Sequence, residues 1–269
     1  MFTHLAKLAF ITAVAVGALA APAAAVTAAE PDGGRHANVG ALLVRFSDAG
    51  LTQLCSGSLI AGEEFLTAGH CTEFLQANVD PADAVITFEE DLNVDPATGT
   101  ADPATSTPVA GWTTMPGFRS GVAKSINDVG VVHLAATVPG TAPVQLPRAG
   151  LLDSARAAGG LAGHEFTNVG YGVNDLDRSV SSPNVAISWA GRRMASTTRF
   201  KSLTPDFLEQ HGGNCFGDSG GPHFWSATGP LSNLTVAVTS ATDPTCGSLA
   251  SNQRLDTPEP VAFLARFTP

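Results

Sequence analysis

Short apolar runs, separated by clusters of glycine, proline, aspartate and serine, recur along the chain. They occupy residues 39–46, 58–60, 85–88, 129–134 and 234–239. Runs of this length and spacing are typical of antiparallel strands in a barrel or a sandwich. The sequence shows no internal repeat and no heptad pattern. The pattern therefore predicts an all-β protein with many short strands.

Three other segments are expected to differ from strands. Residues 93–108 are rich in proline, threonine and aspartate, and residues 172–183 are polar and end at a proline. Both are predicted to be loops. Residues 257–267 have the pattern of a short capped helix, with Thr257 as the N-cap and Pro258 at the first helical position.

The first 25 residues have the pattern of a secretory signal peptide. Lys7 precedes a run of 13 apolar residues, and small residues that end in an A-x-A site follow it. A membrane anchor is the alternative, but a membrane span needs about 20 apolar residues. We expect cleavage after Ala25, which would release residues 26–269 as a secreted protein with no membrane contact.

Composition and charge exclude several classes of protein. Hydrophobic residues make up 44% of the chain and charged residues 14%, which is unlike a disordered chain. The net charge of −10 argues against a nucleic acid or an anionic membrane as a partner. In an oxidising compartment the four cysteines are expected to be paired, and three connectivities are possible.

The segment GDSGG at residues 217–221 points to Ser219 as a nucleophile. It satisfies G-x-S-x-G, the nucleophile elbow of α/β-hydrolases, in which a helix follows the serine. Here two glycines and a proline follow Ser219, and they start a helix poorly. That fold also needs its histidine after the serine, and only His223 follows, four residues on. The elbow interpretation is therefore rejected.

Two upstream motifs supply the partners that a serine nucleophile needs. LTAGHC contains His70, and INDVGVVHL contains Asp128. With Ser219 these residues follow the order His, Asp, Ser, which is the order of the chymotrypsin fold. His133, near the end of the second motif, and His164 are both predicted to be structural.

With these motifs in place, the sequence resembles the secreted chymotrypsin-like serine proteases of the trypsin family. CSGSLI at residues 55–60 and LDTPEPVAFL at residues 255–264 extend the resemblance over essentially all of residues 26–269. The resemblance implies one protease domain of two six-stranded antiparallel β-barrels with a short C-terminal helix. Its active site would lie in the cleft between the barrels.

The resemblance also implies a role for each side chain. A serine hydroxyl is a poor nucleophile without an adjacent base, so His70 would take the Ser219 proton and later donate it to the leaving amine. Asp128 would hold the imidazole in the right tautomer. The backbone N–H groups of Gly217 and Ser219 would form the oxyanion hole. We therefore expect a serine endopeptidase that acts through an acyl-enzyme.

The cysteines and the amino terminus are assigned in the same way. The resemblance implies two disulfides, one from Cys55 to Cys71 and one from Cys215 to Cys246. The cysteine spacing fits none of the usual zinc patterns, and no metal or cofactor is expected.

The resemblance further implies that a free amino terminus at Val26 pairs with Asp218, the residue before the nucleophile. The chain departs from the family where two glycines are usual, because Ala28 and Ala29 stand there. Cleavage a few residues later is therefore an open alternative.

The resemblance places the specificity pocket as well. Its base would be Gly213, where trypsin-like members carry an aspartate, followed by Asn214. Ser240 would begin the substrate-pairing segment, with Thr242 on the pocket wall and Ala250 on the opposite wall. We expect a preference for small or medium uncharged residues before the scissile bond.

Several alternatives remain open at this stage. An acid such as Asp243 could point into the pocket and favour arginine. A protease-fold binding protein with little turnover and an esterase are competing functions. The expected partner is a polypeptide substrate and the expected state is a monomer. The alanine-rich chain favours a bacterial source.

Overall fold

The computed structural model describes residues 29–46, 50–120, 124–177, 186–226, 228–229, 231–244 and 246–269. For the strand residues within 174–188 it describes the backbone alone. The predicted signal peptide and Val26 lie outside the described residues. The strands, in chain order, are β1 Glu30–Pro31, β2 Val39–Arg45, β3 Leu51–Ala61, β4 Glu64–Thr67, β5 Ala84–Thr87, β6 Thr107–Thr114, β7 Gly130–Leu134, β8 Glu165–Gly170, β9 Val173–Asp177, β10 Ala186–Trp189, β11 Met194–Leu203, β12 Phe207–Gln210, β13 Pro222–Phe224, β14 Thr235–Thr242 and β15 Ala250–Arg254. The helices are α1 Gly69–Asn78, α2 Leu151–Ala157 and α3 Pro258–Leu264, with a 3₁₀ turn at Pro81–Asp83.

The strands form two closed antiparallel barrels of six strands each. The first barrel closes in the order β2-β3-β4-β7-β6-β5, because β2 pairs with both β3 and β5. The second closes in the order β11-β12-β15-β14-β13-β8, because β11 also pairs with β8. Strand β1 joins β11 at its edge, and β9 pairs with β10. The predicted double barrel is confirmed.

Strand β2 shows why the chain lacks simple alternation of apolar and polar positions. Its side chains alternate between two cores, as the period of two in a strand requires. Leu42 and Val44 pack inside the first barrel. Val39 and Leu43 face a second apolar cluster, which includes residues of the other barrel such as Val238. Burial on both faces makes the strand a continuous apolar run and joins the two barrels.

Each of the five predicted runs coincides with a strand, and most of their ends agree with the ends of that strand to within four residues. Some elements were missed. Residues 173–177 were predicted to lie in a loop, and they form strand β9, which pairs with β10. This prediction was wrong because a short, mostly polar strand that pairs, among the described residues, only with its neighbour along the chain carries no pattern of buried apolar positions. The helices α1 and α2 were also not anticipated.

The C-terminal helix is confirmed as α3, with Pro258 in its first turn. Thr257 occupies the N-cap position, but its side chain makes no capping hydrogen bond. The helices of the described residues are all too short or too polar to cross a membrane.

Candidate active site

His70 and Asp128 form a close pair at the edge of the first barrel. His70 lies in the first turn of α1, and its Nδ1 is 2.9 Å from Asp128 Oδ2. The backbone N–H of His70 also donates to Asp128 Oδ1, at 2.7 Å. With Nδ1–H donating a hydrogen bond to this carboxylate, Nε2 is the ring nitrogen that remains to accept a proton from another group.

Asp128 is held from the second barrel as well. Its side chain is fully buried, and Ser240 Oγ donates to Oδ2 at 2.5 Å. The backbone N–H of Asp128 donates to Gln253 Oε1 at 3.1 Å. These hydrogen bonds from both barrels fix the position of the carboxylate. The Ser240 contact was not foreseen, because the sequence analysis placed this residue only in the substrate-pairing segment.

Ser219 and His70 line the same cleft, whose volume is about 390 Å³. The Ser219 turn is held on both sides: its carbonyl accepts from Ser56 N–H at 2.9 Å, and Gly220 N–H donates to Thr239 O at 2.8 Å. Within the described residues no hydrogen bond joins the His70 ring to the Ser219 hydroxyl. Such bonds are often long in free enzymes and shorten when substrate binds.

The backbone around Gly217 is held by two side chains of the first barrel. Gly217 O accepts from Gln53 Nε2 at 2.8 Å and from Ser56 Oγ at 2.9 Å. Neither Gly217 N–H nor Ser219 N–H donates to another group of the described chain. Both donors are therefore available for a developing oxyanion.

His223 contributes nothing to this cleft. It is buried in β13, and its Nε2 lies 2.9 Å from Thr239 Oγ1. Burial lowers its pKa to about 3, so the ring is neutral. His223 is therefore not placed as the histidine partner that a nucleophile elbow at Ser219 would need.

His133 and His164, the two histidines predicted to be structural, do not line the cleft that holds His70. His133 contacts Glu64 and Thr113, at 2.7 and 2.8 Å. His164 Nε2 lies 2.7 Å from Trp225 O.

The two predicted disulfides are present. Cys55 pairs with Cys71 beside His70, and Cys215 pairs with Cys246 beside the Ser219 turn. Ligand atoms of Cys55, Cys71 and His70 lie within 4.8 Å of one another. The two sulfurs are bonded to each other, so they are not the thiolates that a metal ion would need.

Asp218 faces a small second cavity of about 30 Å³. Its carboxylate accepts from Gly172 N–H and Cys215 N–H, both at 2.8 Å. Burial raises its pKa to about 6, despite these two hydrogen bonds. Asn168 and Asn214 also line this cavity, and the buried amide oxygen of each has no hydrogen-bond partner among the described residues. The cavity is therefore rich in acceptors and poor in donors.

The residues predicted for the specificity pocket are divided between the two cavities. Ser240 and Thr242 line the cleft with His70, whereas Gly213 and Asn214 line the small cavity beside Asp218. Ala250 is buried and is the cross-strand partner of Thr242, so the two residues are neighbours on adjacent strands.

Asp243 does not supply an acid to the pocket wall. Its Oδ2 accepts from the backbone N–H groups of Gly247, Ser248 and Leu249. This carboxylate therefore stabilises its own loop.

Gly213 allows a test of how the pocket is built. Its φ is +102°, and a Cβ there would lie 2.1 Å from Thr198 Cγ2 and 2.4 Å from Asn168 Nδ2. We therefore expect Gly213→Asp to lower the melting temperature by several degrees without creating cleavage after arginine. Thermal melts and rates on arginine peptides would measure both effects.

Gly159→Asp is the matched control for this substitution. Gly159 also has a positive φ, +77°, but nothing lies within 4 Å of its added Cβ. A stable Gly213→Asp protein that cleaves after arginine would contradict this description of the pocket base.

Two closed antiparallel barrels, with a histidine and an aspartate of one barrel facing a serine of the other, define the class of chymotrypsin-like serine proteases. The family model described as Trypsin matches residues 32–253, and the chain belongs to that family. No curated protein matches the chain. Family membership supports a serine protease that acts on polypeptides.

Proposed function

We propose that the protein is a secreted endopeptidase in which Ser219, His70 and Asp128 hydrolyse peptide bonds through an acyl-enzyme. The observation that carries the proposal is the Asp128–His70 pair in the same cleft as Ser219. His70 Nε2 would take the Ser219 proton as Oγ attacks the carbonyl carbon, and would then donate it to the leaving amine. Water would release the acyl group by the same steps.

The free backbone donors support the second part of the mechanism. Gly217 N–H and Ser219 N–H would bind the carbonyl oxygen as it becomes negative. Each such donor contributes about 10²–10³ to kcat. Because Gly217 O is already held by Gln53 and Ser56, the loop needs little reorganisation before the reaction.

The lining of the cleft supports a preference for small or medium uncharged residues before the scissile bond. None of the described residues that line it is acidic, and its one charged side chain is Lys124. The cleft therefore offers no partner for the cation of a substrate arginine or lysine. Thr242 and the exposed ring of Phe216 narrow it further.

We further propose that signal removal after Ala25 exposes Val26, whose ammonium group pairs with Asp218. Ala29 lines the cavity beside Asp218, and the next residue, Glu30, pairs with Ala195. Val26 is three residues from Ala29, and three extended residues reach about 10 Å. A cavity with one carboxylate and two unpaired amide oxygens suits an ammonium group, which carries donors only. The two disulfides support secretion into an oxidising compartment. We also propose that the protein is a monomer.

A peptide panel that varies the residue before the scissile bond tests the function. We expect kcat/KM for alanine, valine or leucine to exceed that for arginine or lysine by at least about tenfold, since about 1.4 kcal/mol of differential binding gives this ratio. Matched simple esters belong in the same experiment. Turnover of the esters with no peptide cleavage would replace the endopeptidase with an esterase, and a preference for arginine would overturn the specificity.

A further inference from the structure

Arg193 is a fully buried cation at the junction of the two barrels, with 1% of its surface exposed. Its Nε donates to Asp32 Oδ2 at 3.0 Å. Its Nη1 lies within hydrogen-bond distance of three oxygens: Val39 O at 3.1 Å, Phe88 O at 3.0 Å and Tyr171 Oη at 3.0 Å. The guanidinium group therefore joins the amino-terminal part of the chain, the first barrel and the residue that follows β8.

The carboxylate partner, Asp32, anchors the amino-terminal segment, which we define as residues 29–36. Asp32 is fully buried and also accepts from the His36 N–H at 2.9 Å. Burial alone would raise the pKa of Asp32, but hydrogen bonds from His36 and the Arg193 guanidinium hold it well below its usual range. The nearby pair between Arg35 and Glu30 is exposed and contributes little.

A buried ion pair is weak evidence for stability, because desolvation offsets much of the attraction between the charges. Here the ion pair holds two other groups of the protein in position. The ion pair and its hydrogen bonds hold the amino-terminal segment in place. The first residue of this segment, Ala29, lines the small cavity beside Asp218. The ion pair and its hydrogen bonds also fix the hydroxyl group of Tyr171.

Tyr171 connects this pair to the nucleophile loop through its backbone. Its N–H donates to Ser56 Oγ at 3.0 Å, and Ser56 Oγ lies 2.9 Å from Gly217 O. The next residue, Gly172, donates its N–H to Asp218. A Cβ on Gly172 would lie 2.6 Å from Asp218 Cγ, so the two segments are packed with no free space.

We propose that Arg193 is a positioning residue for catalysis, acting through Tyr171 on the loop that carries Gly217 and Asp218. With Asp32 it forms a second anchor of the amino-terminal segment, separate from the amino terminus itself. Docking of this segment and the geometry of the oxyanion site are thereby coupled. This inference rests on the proposed protease function.

The test compares Tyr171→Phe, Arg193→Met and Arg193→Lys with the control Arg192→Met. Tyr171→Phe keeps the buried ring and removes only the hydroxyl group, with its contacts to Arg193 Nη1 and Glu89 O. Arg192 is the neighbour of Arg193 and makes an exposed ion pair with Asp91 at 2.9 Å. The measured quantities are kcat and KM on one peptide, and the fraction of chains that react with a fluorophosphonate.

We expect kcat per reactive chain to fall about tenfold in Tyr171→Phe with KM changed less than twofold. This loss is smaller than the loss of about 10²–10³-fold in kcat that follows removal of one oxyanion donor, because here the donor would be displaced and not removed. We expect a larger fall in kcat per reactive chain in Arg193→Met than in Tyr171→Phe. Arg193→Lys is expected to recover part of the kcat that Arg193→Met loses. Arg192→Met is expected to match the unmodified protein.

Three results would overturn the inference. If kcat per reactive chain is unchanged in Tyr171→Phe, the pair has only a structural role, and the protease function stands. If the unmodified protein neither reacts with the probe nor cleaves peptides, the proposed function fails first and the inference fails with it. An equal loss in Arg192→Met would also contradict it.

Discussion

Replacing His70 by alanine is expected to lower kcat for peptide hydrolysis by about 10⁶-fold, with KM little changed. Loss of the histidine from a Ser-His-Asp triad has an effect of this size in other serine proteases. The physical reason is that Ser219 Oγ is a poor nucleophile while it keeps its proton, and no other base of the described residues lines the cleft within reach. Initial rates over a range of peptide concentrations separate kcat from KM.

His133→Ala is the matched control. His133 also pairs with a carboxylate, Glu64, but it does not line the cleft. Its replacement is expected to change kcat less than about twofold, because its role is structural. A His70→Ala protein that keeps more than about 1% of the rate would mean that His70 is not the general base.

Replacing Asp218 by asparagine is expected to lower kcat by about 10²–10³-fold, the effect of losing an oxyanion donor. The Asp218 carboxylate accepts from Gly172 and Cys215 on either side of the nucleophile loop. An amide at this position would accept from one of them and could not balance the charge of an ammonium group at Val26. Asp95→Asn is the control, since Asp95 also accepts a backbone N–H but is exposed.

The proposed pair of Asp218 and the Val26 amino group predicts a loss of stability as the pH rises through the alkaline range, whereas an isolated buried acid would lose stability as the pH rises through the acidic range. Burial raises the pKa of Asp218 from 3.8 to about 6 despite its two hydrogen bonds, so without a partner its ionisation would lower stability as the pH rises between these two values. The proposed pairing would raise the pKa of the Val26 amino group above its ordinary value of about 7.7–8.0. Stability of the active form is then fully present below that value and is lost as the pH rises through the folded-state pKa.

Acetylation of the Val26 amino group gives an independent readout of this pairing. We expect it to lower kcat as Asp218→Asn does and to remove the alkaline loss of activity. Full activity of an acetylated chain, or an active protein that begins at Glu30 or later, would contradict the pairing.

The residues of the proposed triad were accessible from the sequence because each lies in a short local motif. The chemistry of acyl transfer requires a serine in a tight glycine turn, and a histidine and an aspartate of matching roles, so these residue types recur in recognisable segments. The apolar runs were equally informative, because burial of β2 on both faces leaves a continuous pattern. The double barrel itself followed from resemblance and not from the runs alone.

The interactions that support the site could not be predicted, because they join residues distant in sequence. Ser240 donates to Asp128 across 112 positions, and Arg193 reaches Asp32 across 161 positions. A lone serine or arginine in a polar stretch carries no sign of such a partner. The positions of Gly213 and Asn214 in the small cavity depend in the same way on how β8, β11 and β14 pack around them.

The most direct test of the proposed mechanism is the intact mass of the secreted protein before and after reaction with a fluorophosphonate, with Ser219→Ala as the control. We expect one adduct, located on Ser219, on a chain that begins at Val26, and no adduct on Ser219→Ala. Ser154→Ala, which alters an exposed serine of α2, is expected to label fully. No adduct on a chain that begins at Val26, or equal labelling of Ser219→Ala, would contradict the assignment of Ser219 as the activated nucleophile.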